Sequence, residues 1–203
     1  MNLGLGNLTE LKGQLLAEAL RTDTSYDAAI TAIGKGVAAQ MENYCNRKFG
    51  RVENDVYIVS ADRAHAYLPR YPVESIAGID LKTDATDGFV AQTASTIVNT
   101  NLESGYVYFG GELGPYWSHL RITYTGGFWF DETEENNDTL PSGATQLPAD
   151  LKLAWILQCR AVWQAIDKTG MDIIKTGSSS NLILDLVPAV KDMLNQFTRY
   201  MIT

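Results

Sequence analysis

A chain of 203 residues and 22.3 kDa is long enough for one core-bearing domain, or one domain with a substantial insertion, and too short for two full domains. With 45% apolar and 20% charged residues it has the composition of a chain that folds, and its net charge of −8 argues against a protein that grips phosphate backbones, because that grip comes from clustered Lys and Arg releasing counterions. No run approaches the roughly 18 to 20 uninterrupted apolar residues of a bilayer-spanning helix, and no basic stretch leads into an apolar one at the start, so a soluble, unexported protein is expected.

Gly4-Leu5-Gly6 is half of a dinucleotide-binding fingerprint, but no strand fits before it and the third glycine is missing, so it reads as a loose arm. Asn7 and Glu10 have the spacing of a capping box. Leu8, Leu11, Leu15, Leu16 and Leu20 then fall on one helical face up to about Arg21. Thr24 and Asp27 repeat the cap, and Ile30, Ile33, Val37, Met41, Tyr44 and Cys45 step at threes and fours down a second helix to about Arg47. Gly34 and Gly36 each weaken that helix by up to about 1 kcal/mol relative to Ala, which predicts close approach of a neighbour at that turn.

From Phe49 to Phe130 the period changes to that of strands. Val56–Val59, Ala66–Leu68, Ser75–Leu81, Phe89-Val90, Thr96–Val98, Tyr106–Phe109 and Leu120–Tyr124 are short β-rich runs. Asp62-Arg63, Pro69, Pro72, Asp87-Gly88, Ser104-Gly105 and Gly110-Gly111 separate them as turn signals, which predicts a small antiparallel sheet bent into a sandwich or partial barrel. Asp131 to Gln146 is polar and acidic and holds Pro141-Ser142-Gly143, the pattern of an exposed loop. Pro148 opens a third helix to about Lys168 with Leu151, Trp155, Cys159, Val162 and Ile166 as its stripe. Thr176–Ser180 reads as a flexible linker, and Pro188 starts a last helix towards Ile202 carrying Val190, Leu194, Phe197 and Met201. The fold class is therefore α+β: a bundle of about four helices with a β-rich antiparallel insertion between the second and third.

Catalytic chemistry is hard to place on this sequence. His65 and His119 have no spaced partners of the kind that a zinc site needs, and each reads as an ordinary imidazole. Gly110–Pro115 lacks the Lys-Ser or Lys-Thr of a phosphate loop and reads as a wide hairpin turn, while Ser178–Ser180 lack the frame of a nucleophile elbow. Cys45 and Cys159 sit within apolar helical patterns and read as buried free thiols rather than a disulfide. Six acids fall in a window from Ile122 to Leu151 that holds no base. Of these Asp131, Glu132, Glu134, Glu135 and Asp138 lack calcium-loop spacing and read as a solvated acidic loop. Tyr67, Tyr71, Tyr106, Tyr108, Trp117, Tyr124, Phe128, Trp129 and Phe130 could line a sugar or base platform, though strand spacing puts most of them in a core. Phe128-Trp129-Phe130 cannot all point inward from one strand, so at least one is expected to meet another chain or a folded-over loop.

Four segments taken in order carry a resemblance: Ala38–Arg47, Tyr67–Ile76, Ile122–Phe128 and Leu147–Ala154. Together they resemble the head-tail connector (adaptor, or head-completion) proteins of tailed bacteriophages. The resemblance implies a structural protein with no catalytic residues, no cofactor and no bound metal, built as one connector domain over residues 1–203. Within it lie N-terminal helices (1–48), a β-rich insertion (49–130), an acidic loop (131–147) and C-terminal helices (148–203) with a linker at 175–181. It further implies a homo-oligomeric, twelvefold ring beneath the portal protein in the virion neck, made in the host cytoplasm. The next connector or tail protein docks below, DNA passes through the lumen without sequence-specific binding, and no membrane is involved. The five loop acids would face the lumen or tail side, and Phe197, Tyr200, Met201 and Ile202 would meet the portal or a neighbouring subunit. The competing reading is a monomeric module that binds carbohydrate or a host surface through its aromatic β region, and a third is a hydrolase that uses the acidic residues.

Overall fold

The computed structural model describes residues 3–84, 86–93, 96–131, 139–169 and 185–199. The architecture is α+β, with four α-helices among these residues and a β-rich region between the second and third. The chain forms two compact units. One comprises Met1–Arg47, Phe130–Thr139 and Leu147–Thr203; the other comprises Lys48–Trp129 and Leu140–Gln146.

The first unit is helical. Helix α1 (Leu8–Leu15) starts where Asn7 accepts a hydrogen bond on its side chain from the Glu10 N–H at 2.8 Å. It stops six residues short of Arg21, and Glu18–Leu20 forms a separate 3-10 turn. Helix α2 (Asp27–Cys45) also departs from expectation at its start: Asp23 caps a 3-10 turn over Thr24–Tyr26, and no side chain caps α2 itself. Helix α3 (Ala149–Thr169) and helix α4 (Pro188–Leu194) follow, the latter ending in a 3-10 turn over Asn195–Phe197 instead of running to Ile202. The linker at 175–181 and residues beyond Arg199 lie outside the described residues.

Ile30, Ile33, Val37, Met41 and Cys45 of α2 are buried, as are Leu151, Ala154, Trp155 and Cys159 of α3 and Val190 and Leu194 of α4. Each large apolar side chain in this set contributes roughly 1.5 to 3 kcal/mol by leaving water. The amino-terminal segment belongs to this core, which corrects its reading as a loose arm: Leu3, Leu5 and Asn7 are fully buried. Two glycines make that possible. A Cβ on Gly6 would lie 2.7 Å from the Trp155 ring, and one on Gly34 would lie 3.0 Å from Leu3. Gly36, by contrast, faces open space, so only one of the two helical glycines marks a close approach. Trp155 Nε1–H donates to the Gly34 carbonyl at 3.0 Å, satisfying the indole's one donor inside the core. Lys12, also buried, donates to Asp27 Oδ1 at 2.5 Å and the Asp23 carbonyl at 2.8 Å, tying α1 to the entry of α2.

The second unit is β-rich. Strands β1 (Val52–Ser60), β3 (Val73–Lys82), β4 (Val90–Ala91) and β7 (His119–Gly126) form an antiparallel sheet in the order β1-β7-β3-β4. Strands β2 (His65–Tyr67), β5 (Asn99–Asn101) and β6 (Tyr106–Tyr108) form a second one in the order β2-β6-β5. The fifth strand begins three residues later than the β-branched run Thr96–Val98 suggests. Alternation sends Leu120, Ile122 and Tyr124 inward from β7 to meet Ala66, Leu68, Val107 and Phe109, so the two sheets share one sandwich core.

Tyr124 closes that core with a polar device. Its hydroxyl donates to Asp55 Oδ2 at 3.2 Å and accepts from the Arg70 N–H at 3.2 Å, while Arg70 Nε reaches Asp55 at 2.8 Å. Burial, reinforced by the neighbouring Asp55 carboxylate, pushes the phenol well above its ordinary range. Strand β7 ends at Gly127, whose φ of +99° and distance of 2.5 Å from a built Cβ to the Gly50 carbonyl leave room for no other residue. Strand β8 (Phe128–Trp129) then pairs in parallel with β9 (Thr145–Gln146). Thr145–Gln146, at the far end of the segment read as one long exposed loop, is therefore paired in a two-stranded sheet of its own with β8.

Candidate functional site

The register of the four-stranded sheet fixes what its outer face presents. Alternation turns Ser60, His119 and Lys82 outward in one row, Ile58, Arg121 and Asp80 in the next, and Val56, Thr123 and Gly78 in a third. Arg121 is neutralised in place, donating from Nε to Asp80 Oδ2 at 2.9 Å. Phe89, next to β4, lies over its guanidinium at 4.4 Å from the ring centre.

Trp117 stands at the other end of this face. A tight turn holds it there: the Ser118 N–H donates to the Pro115 carbonyl at 2.8 Å, and the Ser60 hydroxyl donates to the Tyr116 carbonyl at 3.2 Å. Tyr116 packs edge-on against the indole at 4.7 Å. Between these aromatic groups opens a cleft of about 530 Å³ lined by Ile58, Lys82, Asp84, Phe89, Trp117 and His119. Trp117 is 57% exposed, Val56 52% and Ile58 51%, so the outer face carries apolar side chains in contact with water.

The polar groups of the cleft differ in what they have left to offer. The Asp84 carboxylate accepts from the Thr86 N–H at 3.1 Å and the Thr86 hydroxyl at 3.2 Å. Lys82, among the described residues, forms no ion pair. Sequence reading singled out Trp117 and His119 but not Lys82, Phe89 or Ile58. Ile58 left a signal, because the unbroken apolar run Val56–Val59 must turn two of its residues away from the core.

The other expected site residues fall elsewhere or outside the described set. Asp131 is half-buried, and its backbone carbonyl accepts from Asn7 Nδ2 at 3.4 Å; Glu132, Glu134, Glu135 and Asp138 lie outside the described residues. Phe197 is half-buried after α4, and Tyr200, Met201 and Ile202 again lie outside. Of the aromatic set, Tyr124, Phe128 and Phe130 are core residues. His65, Tyr67 and Tyr106 cluster on the outer face of the three-stranded sheet, with ring centres 5.2 to 5.9 Å apart. Among the described residues no three His, Cys, Asp or Glu side chains stand close enough to hold a metal ion, and no helix is long and apolar enough to cross a membrane.

No family model and no curated protein matches this chain. Solved structures do match it. A chain from the neck of an empty GTA particle, computed with C6 symmetry, is 15% identical at a TM-score of 0.61, over 97% of this chain and 90% of that one. A chain from the neck of a native GTA particle, computed with C12 symmetry, is 14% identical at a TM-score of 0.57, with the same coverage. The likeness extends over both the helical and the β-rich unit, and it establishes that this chain has the fold of these neck chains.

Proposed function

We propose that the chain is a structural head-tail connector of a tailed, phage-like particle, forming a ring beneath the portal that joins the DNA-filled head to the tail. The observation that carries this reading is the fold shared with two particle-neck chains along 97% of the sequence. The C6 and C12 symmetry of those necks supports a twelvefold or sixfold arrangement of identical subunits. The portal above and the next connector or tail protein below are the partners in this reading, and the virion neck is the place of work. The protein acts by assembly, without a reaction or a cofactor.

Local charge supports the passage of DNA. The acids Asp131, Glu132, Glu134, Glu135 and Asp138 fall in a stretch free of Lys and Arg, and a lumen wall of that sign repels the duplex and leaves it mobile. We assign these acids to the lumen or the tail-side rim, and Phe197 with Tyr200, Met201 and Ile202 to contact with the portal or a neighbouring subunit.

The competing reading, a monomeric glycan-binding module, draws its support from the exposed rings of His65 and Tyr67 beside Tyr106. Negative-stain microscopy of the purified protein, alone and mixed with its portal, separates the two. Annular particles in either preparation are the expected result, and discrete small monomers in both would overturn the connector reading.

A further inference from the structure

Strand β1 stands at the end of the four-stranded sheet, and among the described residues no strand pairs with its far side. The hydrogen-bond phase of that free edge can be read from its two ends. Ala61, one residue past β1, donates its N–H to the Ser118 carbonyl at 2.9 Å, whereas the Val56 N–H turns to Asp55 Oδ1 at 3.0 Å. Alternation therefore aims the backbone groups of Asp55, Tyr57 and Val59 at β7, and those of Val56, Ile58 and Ser60 at the open edge. The pairing with β7 keeps one register from Asp55 to Ser60, and the run Val56–Ser60 holds no charge, glycine or proline. Charges, prolines and bulges are the devices that normally blunt an edge. The opposite margin of the same sheet does have such devices. There β3 is broken by two register shifts and carries Glu74; its Val73 N–H donates to the Leu102 carbonyl at 2.7 Å, and its Ile79 carbonyl accepts from the Gln92 N–H at 2.8 Å.

We propose that the bare edge of β1 pairs with the same edge of a second copy of the chain, antiparallel and about a two-fold axis at Ile58. The row of backbone groups selects an extended strand, because neither a helix nor a nucleic acid nor a glycan presents the matching alternation of N–H and C=O. Among the described strands of this chain, β1 is the one that can supply it: β2, β4 and β5 are two or three residues long, and β3 is blunted. Its sequence is also complementary to itself. Centred on Ile58, the register sets Ile58 against its own copy, Val56 against Ser60 and Tyr57 against Val59, so apolar and aromatic-to-branched pairs form on both faces. Two chains that each carry a net charge of −8 can meet along this line because the paired run is uncharged and Asp55, at its start, is matched by Arg70 Nε at 2.8 Å. A two-fold pair is no part of a cyclic ring of six or twelve, whose contacts run head to tail. The pair therefore belongs to the free protein, covers Val56 and Ile58 before assembly, and stands apart from the ring reading.

The test uses the full-length protein in sedimentation equilibrium. Its mass is expected to rise from 22.3 kDa towards twice that value as the protein concentration goes from about 10 μM to about 1 mM. Ile58→Lys sets two ammonium groups against each other at an exposed site, and is expected to weaken the association at least about tenfold with the Tm unchanged. Single cysteines read the register. Ile58→Cys is expected to be joined to its copy by a short bifunctional thiol reagent, across a Cα–Cα distance of about 5.5 Å. Val56→Cys, roughly 13 Å along the strands from its copy, is expected to stay unjoined. Cys45 and Cys159 are buried and take no part. A protein that stays monomeric at about 1 mM, association that Ile58→Lys leaves intact, or equal cross-linking at positions 56 and 58 would each overturn the proposal. Should Ile58→Lys lower the Tm, the cysteine comparison alone decides.

Discussion

Cys45 and Cys159 are thiols that the fold keeps protonated. Burial pushes Cys45 up to about 11, an effect that the Thr198 hydroxyl and the Arg47 charge moderate, and burial alone pushes Cys159 up to about 12. The ordinary thiol value is 9.0, so in both cases the folded state holds its proton where the unfolded chain has lost it. The stabilisation is therefore fully present below pH 9 and is lost as pH rises through the folded values. Within that window each thiol adds a slope approaching about 1.4 kcal/mol per pH unit. Tyr124, raised in the same direction, steepens the alkaline fall of the β-rich unit. Urea unfolding followed from pH 8 to pH 11 should show stability of the helical unit falling steadily above pH 9. The Cys45→Ala, Cys159→Ala double variant should start lower, from lost packing, and fall less steeply. An identical slope in the two proteins would mean that neither thiol is desolvated as the geometry requires.

Trp155 Nε1 of helix α3 donates to the Gly34 carbonyl of α2 at 3.0 Å, a polar bond set among buried apolar side chains of both helices. Trp155→Phe keeps most of the aromatic volume and removes that donor, so it should cost about 1 to 3 kcal/mol from the lost bond and the small void together. Calorimetry on the variant checks this, and a Tm equal to that of the parent would show that the bond adds nothing. The partners of this seam also show how far the elements could be read in advance. The stripes on α2 and α3 were legible because apolar residues recur at threes and fours, and the buried faces follow them. The amino-terminal segment was not, because nothing local distinguishes a flexible Gly-Leu-Gly arm from one whose glycines allow Leu3, Leu5 and a tryptophan ring to close on each other. Gly34 and Gly36 look alike for the same reason, and only the packing of Leu3 and Leu11 separates them. The strands were legible as runs, but the cleft beside Trp117 was not. Ile58, Lys82, Phe89 and His119 come from separate runs and meet only through the pairing of β1, β7 and β3.

Taken across the chain, acidic charge is distributed unevenly. The net charge of −8 is concentrated: five of the acids occupy positions 131 to 138, with no Lys or Arg among those eight residues. Multiplied by rotational symmetry in the proposed ring, such a segment would make the largest local field on the inner or lower rim, felt by DNA within about a Debye length of 8 to 10 Å. Replacing Asp131, Glu132, Glu134, Glu135 and Asp138 with Asn or Gln leaves backbone and side-chain size nearly unchanged and moves the charge per subunit from −8 to −3, the difference being the five carboxylates. The contact from Asn7 Nδ2 to the carbonyl of residue 131 is made to the backbone and survives the change. In the proposed reading the segment is a solvated rim, where substitutions shift stability by no more than about 0.5 kcal/mol each. Particles assembled with the neutral variant should therefore eject or leak DNA at an altered rate, or join tails with altered efficiency, while the Tm of the isolated protein stays where it was. A fall of many degrees in Tm would make the segment part of the scaffold, and unchanged DNA retention together with unchanged tail joining would remove it from the lumen and the tail-side rim alike.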